Sequence, residues 1–495
     1  MAVDIVWFKK DLRIHDHRPL RKACASGTVL CLYIYEPIIF QHQEFDTSRL
    51  EFTNQCLRDL DLALKERGGT MTYRVGEAVE VLQRLHQTVG VARLWSHEET
   101  GSGRTYERDL AVARWAQNQK IPWTEIPQTG VVRRLKTRDG WAQNWNKRMS
   151  KPLTAPVEAI EACQAVDVGR IQTHKDLGLP ASTKGEALPG GEVQATEMLD
   201  SFLDHRGVNY QKDMSSPVTA WDGCSRLSPY LAAGAISMRT VWQRTQARLK
   251  EVRALKKAGE DIDRRWSRSL SSFDSRLHWH CHFMQKLEDQ PSIEFRNLAR
   301  VYDGIRQDYN QELLEAWKVG QTGFPLIDAC MRALHSGGWI NFRMRAMLVS
   351  FASYHLWIHW RPTGQYLARH FLDYEPGIHW CQMQMQSGTT GINSIRIYNP
   401  TKQIRDHDPT GIFIREYVPE LRDVPDEYIA APEEMPPLLQ LGLGCVIGKD
   451  YPEPIVPGKE SWKKARDRIW KIKKSPAAKA EAKEIYEKHG SRKPT

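Results

Sequence analysis

The stretch from Gly337 to Pro400 holds Arg343, Arg345, Asp373, Glu375, four tryptophans and four methionines. Arginine and aspartate are seldom buried unless paired, and a buried indole N–H needs an acceptor. Such a set fits the lining of a large, flat aromatic ligand, with carboxylates and guanidiniums fixing its polar ends. Arg345 and Asp373 would form a bidentate pair beneath the ligand, or a buried pair that only fixes geometry. Upstream, GCSRLSPYLAAGAIS (223–237) places Cys224, Ser225, Arg226 and Ser228 just ahead of a helical run. Hydroxyls, backbone N–H groups and a guanidinium there suit an anion, although a simple N-cap is the commoner outcome of this pattern.

The run HWHCH puts His278 and His282 on one helix face at i, i+4, a spacing shared with zinc pairs. Two ligands without a nearby carboxylate leave a metal site incomplete, so no metal is expected and a ligand-lining or core role is. Trp279, between them, has a flat face suited to stacking on an extrahelical base; core packing is the usual fate of tryptophan. Trp317, Trp339, Trp357 and Trp360 recur on predicted helices, where such a stripe is normally core. Beside a redox cofactor, closely spaced indoles also pass electrons by short hops.

These side chains need a scaffold, and 495 residues predict two or three domains. Apolar runs at 4–8, 29–37, 71–75 and 92–97 have strand length and composition. Helical patterns at Ser48–Gly68 and Thr105–Lys120 alternate with them, which predicts a doubly wound parallel sheet over 1–130. No GxGxxG follows the first strand; a ligand at the sheet's carboxyl edge would meet Glu98, Glu99 and the Gly101–Gly103 turn. Between 131 and 194, Gly, Pro, Lys and Ser rise, as in a long interdomain connection wrapped on the surface. Residues 195–475 read as a mostly α-helical domain, with windows at Ala195–Arg206, Leu231–Glu251, Ser275–Glu288, Leu313–Val319, Pro325–His335 and Ile340–Trp357. The C-terminal KKARDRIWKIKKSPAAKAEAKEIYEKHGSRKP (463–494) is strongly basic and is read as a solvated terminal helix rather than a phosphate-binding arm, with residues 476–495 set apart as a basic tail.

A net charge of +10 favours polyanionic partners, nucleic acid foremost. Nine scattered cysteines without a CxxC pair predict free thiols in a reducing, cytoplasmic setting and argue against an iron–sulfur cluster. No apolar run approaches the length of a membrane-spanning helix, and Asp4 interrupts the N-terminal apolar stretch too early for a secretory signal.

WFKKDLRIHDHRPL (7–20) resembles the opening of the photolyase/cryptochrome family. SRLSPYLAAGAIS, AWKVGQTGFPLIDACMRAL (316–334), GWINFRMR and IRIYNPTKQIRDHDPTGIFIREYVPEL (395–421) are similar to that family's FAD-binding half, in order along nearly the whole chain. The resemblance implies an N-terminal α/β domain able to hold an antenna pigment of unspecified identity, and a helical domain holding FAD. It implies FAD contacts at Tyr210, Cys224, Ser225, Arg226, Leu227 and Ser228. It sets Arg345 and Asp373 beside the flavin ring, with His280, Phe342, Glu375 and His379 nearby. In photolyases, light-excited reduced FAD donates an electron to a flipped-out pyrimidine photoproduct; in cryptochromes, related photochemistry drives signalling.

Several positions depart from the family pattern. Arg276 stands where cyclobutane-dimer photolyases carry a glutamate, whereas their stacking tryptophan is kept as Trp279. Phe342 replaces an asparagine, Ala346 a methionine and His379 the flavin-ring asparagine. The paired histidines of the (6-4) class are replaced by Asn341 and Phe342. Trp317 and Trp360 match the distal and middle members of the electron-transfer triad, but the flavin-proximal position aligns with Met383, leaving Trp380 or Trp357 as substitutes. The resemblance therefore implies a monomeric blue-light flavoprotein that contacts DNA through an altered photoproduct site. DNA repair, signalling with an unspecified protein partner, or a flavin- or nucleic-acid-binding module without photochemistry are the readings left open.

Overall fold

The computed structural model describes residues 3–490. Val3–Phe8 (β1), Val29–Tyr35 (β2), Met71–Val75 (β3), Val91–His97 (β4) and Trp123–Ile126 (β5) form one parallel sheet, ordered β3-β2-β1-β4-β5. The first four strands fall on the apolar runs. β5 has no such run, because an edge strand of four residues needs to bury only Ile126. Alternation along β1 assigns its two faces. Val3, Ile5 and Trp7 pack under helices Ala78–Val89 and Gly103–Asn118, whereas Val6 and Phe8 join a core shared with the helical half. That shared core seats the sheet's carboxyl edge against the helices that follow.

Three expectations about the path of the chain are corrected. Within 131–194 the chain is not merely wrapped on the surface: helix Trp141–Met149 buries Trp141, Trp145 and Met149, an i, i+4, i+8 stripe that reaches the shared core. The Leu231–Glu251 window is two helices, Ser228–Ala233 and Met238–Ala258. Gly234 breaks it at φ +68°, a left-handed turn pressed so closely on the Lys10 carbonyl that a Cβ would collide with it. Ser237 then caps the second helix, its hydroxyl accepting from the Thr240 N–H at 3.0 Å. The Ile340–Trp357 window is likewise helix Phe342–Ser350 followed by a π-helical turn, Phe351–His355.

The helical half is anchored by Asp328. Its buried carboxylate accepts from Thr322 N (2.8 Å) and Oγ1 (2.7 Å), Gly323 N (3.1 Å) and Tyr451 Oη (2.6 Å). Burial still pushes its pKa up to about 6. Asp328→Ala would strand four donors and is expected to cost at least about 3 kcal/mol, read as a lower denaturant midpoint at unchanged slope.

The basic tail is a terminal helix, largely exposed as expected but docked along one side. Pro476–His489 buries Ala478, Ile485 and His489, and Glu481 accepts from the Arg300 and Val301 N–H groups at 2.6 and 3.0 Å. Residues 491–495 of that tail lie outside the described residues. All nine cysteines are free thiols, and among the described residues no helix is long and apolar enough to cross a membrane.

Candidate functional site

Arg345 grips Asp373 in two parallel hydrogen bonds, Nη1 to Oδ1 and Nη2 to Oδ2, each 2.9 Å. Helix Phe342–Ser350 carries the arginine, and its Nε donates to the Ile340 carbonyl at 2.7 Å. Burial pushes the Asp373 carboxyl up, but Arg345 and a hydrogen bond from Ser228 outweigh it and hold its pKa below the usual range. Ser228 thereby ties the 224–228 loop to the ion pair. Two residues on, Glu375 meets His280 at 2.7 Å. Burial opposes charge on this imidazole, yet Glu375 raises its pKa to about 10. The histidine is therefore an imidazolium at neutral pH. Its contribution to stability is fully present below the unfolded value of about 6.5 and is lost as pH rises through about 10. Glu375→Gln is expected to flatten the fall in melting temperature between those pH values; an unchanged profile would contradict the pairing.

The 224–228 loop is stapled from below. Arg206 donates to the Asp222 and Cys224 carbonyls at 2.6 Å each. Arg226 sits at φ +57° and lies over the rings of Trp221 (3.8 Å) and Trp339 (4.2 Å). Its Nη1 donates to the Trp221 carbonyl at 3.3 Å, while buried Nε and Nη2 have no partner among the described residues. Burial lowers its pKa to about 10. Cys224 and Leu227 point into the shared core, so they offer a ligand only backbone. Tyr210 is buried and hydrogen-bonded to Arg276. Arg276 also lies 3.7 Å from the Met214 sulfur, and Asn341 donates to the Met214 carbonyl at 3.1 Å. Met214 thus links Arg276 to Asn341; the neighbouring Phe342 stands 48% exposed, and Trp279, on the Arg276 helix, is 40% exposed.

His278 and His282 do not form a metal pair. His278 lies 3.8 Å from the Trp145 ring with Nε2 2.9 Å from Asn146, and His282 turns to Trp141. Asp11, His17 and His97 form a tighter buried group. The His17 Nδ1 already accepts from Leu20 N–H, so its Nε2 donates to the same Asp11 oxygen that His97 Nδ1 reaches at 2.8 Å. Hydrogen bonds account for this cluster without an ion.

Trp360 and Trp380 are fully buried with ring centroids 5.8 Å apart, and Trp380 abuts His379 at 4.8 Å. The Trp360 indole donates to Asn297 at 2.7 Å; those of Trp380 and Trp317 have no partner among the described residues. Trp317 packs on Tyr366 at 6.1 Å and makes no ring contact with Trp360 among the described residues. His379 Nε2 donates to the Gly364 carbonyl at 2.8 Å, and burial holds its pKa down at about 3. Sequence reasoning missed Arg206, Trp221, Met214 and Asn297. Met214 and Asn297 act through contacts between distant segments, and Arg206 and Trp221 through a loop whose path local spacing does not set.

The chain thus joins an α/β domain to a helical half in which a stapled loop and a buried ion pair surround guanidinium donors left open to an anion. Comparisons agree. A DNA photolyase domain matches residues 4–156, and the FAD binding domain of DNA photolyase matches 273–471. A deoxyribodipyrimidine photo-lyase of Alkalihalophilus pseudofirmus is 28% identical, covering 94% of this chain and 97% of its own. A cryptochrome DASH of Gloeobacter violaceus is 27% identical over 91% and 92% of the two chains. The crystal structure of a bacterial class III photolyase from Agrobacterium tumefaciens superposes with a TM-score of 0.82 at 25% identity, over 96% and 98% of the chains. The chain belongs to the photolyase/cryptochrome family, as a FAD-binding member.

Proposed function

We propose that this chain is a blue-light flavoprotein that moves electrons through Trp380 and Trp360 and presents an altered photoproduct opening. The observation that carries the reading is the buried Trp380–Trp360 contact, which reaches the 373–379 segment through His379. Bound FAD supplies light absorption and one-electron chemistry. The Arg226 Nε and Nη2, buried without protein partners, fit an anionic group such as a cofactor phosphate. Arg345–Asp373 holds the helix ends around the ring site. His379 stays neutral; with its Nε2 proton committed to Gly364, Nδ1 is left as an acceptor.

At the opening, Trp279 and Phe342 offer stacking faces for an extruded base, and the net charge supports DNA as the partner. Arg276 puts a cation where a carboxylic acid serves cyclobutane-dimer repair. Cyclobutane dimers in double-stranded DNA are therefore expected to be repaired weakly or not at all. Repair assays on the two main photoproducts, with pure FAD-loaded protein, test this. Efficient light-dependent recovery of cyclobutane dimers would overturn the altered-site reading, and recovery of another photoproduct would make the chain a carbon–carbon lyase. Absence of both, with normal photoreduction, supports a cryptochrome-type photoreceptor. Colourless protein that cannot take up FAD would sink both.

A second chromophore has a candidate place at the sheet's carboxyl edge. A cavity of about 190 Å³ lies there, bordered by Trp7, Tyr33, Phe40, Phe52 and Tyr374. Its charges are largely self-paired, Arg108 bonding Glu36 and Glu99 at 2.7 Å each, which favours a flat, aromatic occupant. The nine free thiols support a reducing compartment such as the cytoplasm.

A further inference from the structure

Residues 458–474 carry eight Lys and Arg against two carboxylates, a surplus of six out of the chain's +10. Most of this segment is helix Gly458–Lys473, which buries Ala465 and Ile469 on one side. Its exposed side carries Trp462, Arg466 and Trp470 at i, i+4 and i+8. The indoles are 36% and 41% exposed, with Arg466 over the first at 4.9 Å and Lys473 over the second at 5.4 Å. A merely solvated basic face has no use for two indoles. Lys459, Lys463, Lys464, Lys471 and Lys474 have no carboxylate partner in any ion pair among the described residues. The helix is held firmly: His355 Nδ1 meets Ser461 Oγ at 3.0 Å, and Arg468 lies over Trp357.

We propose that this face binds single-stranded DNA. Bases stack on Trp462 and Trp470, about 12 Å apart along the helix axis, and the intervening cations take the phosphates. A duplex hides its base faces and would use only the charge. The exposed positions carry no free hydroxyl or amide that would demand a ribose 2′-OH, Ser461 being bonded to His355, so DNA suffices. This surface is separate from the photoproduct opening. Phe342 begins helix Phe342–Ser350 at the opening, whereas the basic helix packs on the π-helical turn beyond its other end. The proposal stands whether or not that opening repairs DNA.

The test uses FAD-loaded full-length protein in the dark, carrying Trp279→Ala to silence stacking at the opening. A fluorescein-labelled, lesion-free oligothymidylate of about twenty nucleotides reports binding by anisotropy. Trp462→Ala/Trp470→Ala is expected to raise Kd at least about tenfold, while Trp462→Phe/Trp470→Phe stays within about threefold. Flavin absorbance and melting temperature should not move. Lys459→Glu/Lys463→Glu, on exposed unpaired side chains, should weaken binding and reduce the salt slope, which keeps the test open if the alanine pair folds poorly. Equal Kd for the parent and the alanine pair would overturn the proposal. So would duplex binding as tight as single-strand binding, or co-sedimentation with phosphatidylserine vesicles without oligothymidylate binding.

Discussion

Trp380→Phe is expected to slow light-driven flavin reduction by at least about tenfold, and Trp360→Phe to do the same. Phenylalanine is far harder to oxidise than tryptophan, so either change breaks the relay while preserving an aromatic ring. The surroundings give the relay a direction. The Trp380 N–H has no acceptor, so an oxidised Trp380 keeps its proton and its positive charge remains transferable. The Arg361 guanidinium lies 5.8 Å from the Trp380 ring and disfavours charge there. Trp360, whose N–H is bonded to Asn297 at 2.7 Å, is the better resting place. Trp357 is disfavoured as a relay, because Arg306 and Arg468 lie 4.7 and 4.9 Å from its ring. Trp357→Phe should leave the kinetics unchanged. Transient absorption of FAD-loaded variants checks all three, and normal kinetics in Trp380→Phe with slow kinetics in Trp357→Phe would reverse the assignment.

Breaking the Arg345–Asp373 pair is expected to cost about 3–5 kcal/mol and to release bound flavin. Asp373 is almost wholly buried and holds both Arg345 and Ser228, so Asp373→Ala strands two donors at once. The folded carboxyl titrates below its unfolded value. Its stabilising contribution is therefore complete above about pH 4 and is lost as pH falls through the folded pKa. Asp373→Asn should remove that acid limb as well as lowering the urea midpoint at neutral pH. Unchanged midpoints and flavin content would show the pair to be incidental to the site.

The local features were legible without coordinates. The central β1 and β2 lie on near-continuous apolar runs because each is buried along its whole length, while β3 and β4 keep enough apolar residues to be read despite partly exposed Arg74 and Arg93. The helical half was legible from its windows, although Gly234 split one of them. The ion pair was legible because buried Arg and Asp have few other uses. The alignment at Met383 left Trp380 and Trp357 as alternative relays, and only the fold shows that Trp380, one helical turn before Met383, holds the contact with Trp360. Register on a helix is visible in sequence, but which neighbouring helix a side chain faces is not.

By itself, the order of motifs determined the family, the two-part architecture and the cofactor, since each is written in contiguous residues. Tertiary structure alone decided that Arg226 is clamped by Trp221 and Trp339, that Arg276 and Asn341 meet through Met214, and that the basic tail is fastened to Arg300 and Val301. Most of these contacts join residues tens to hundreds apart in the chain. Their geometry comes from how whole helices pack, a property that no local spacing encodes.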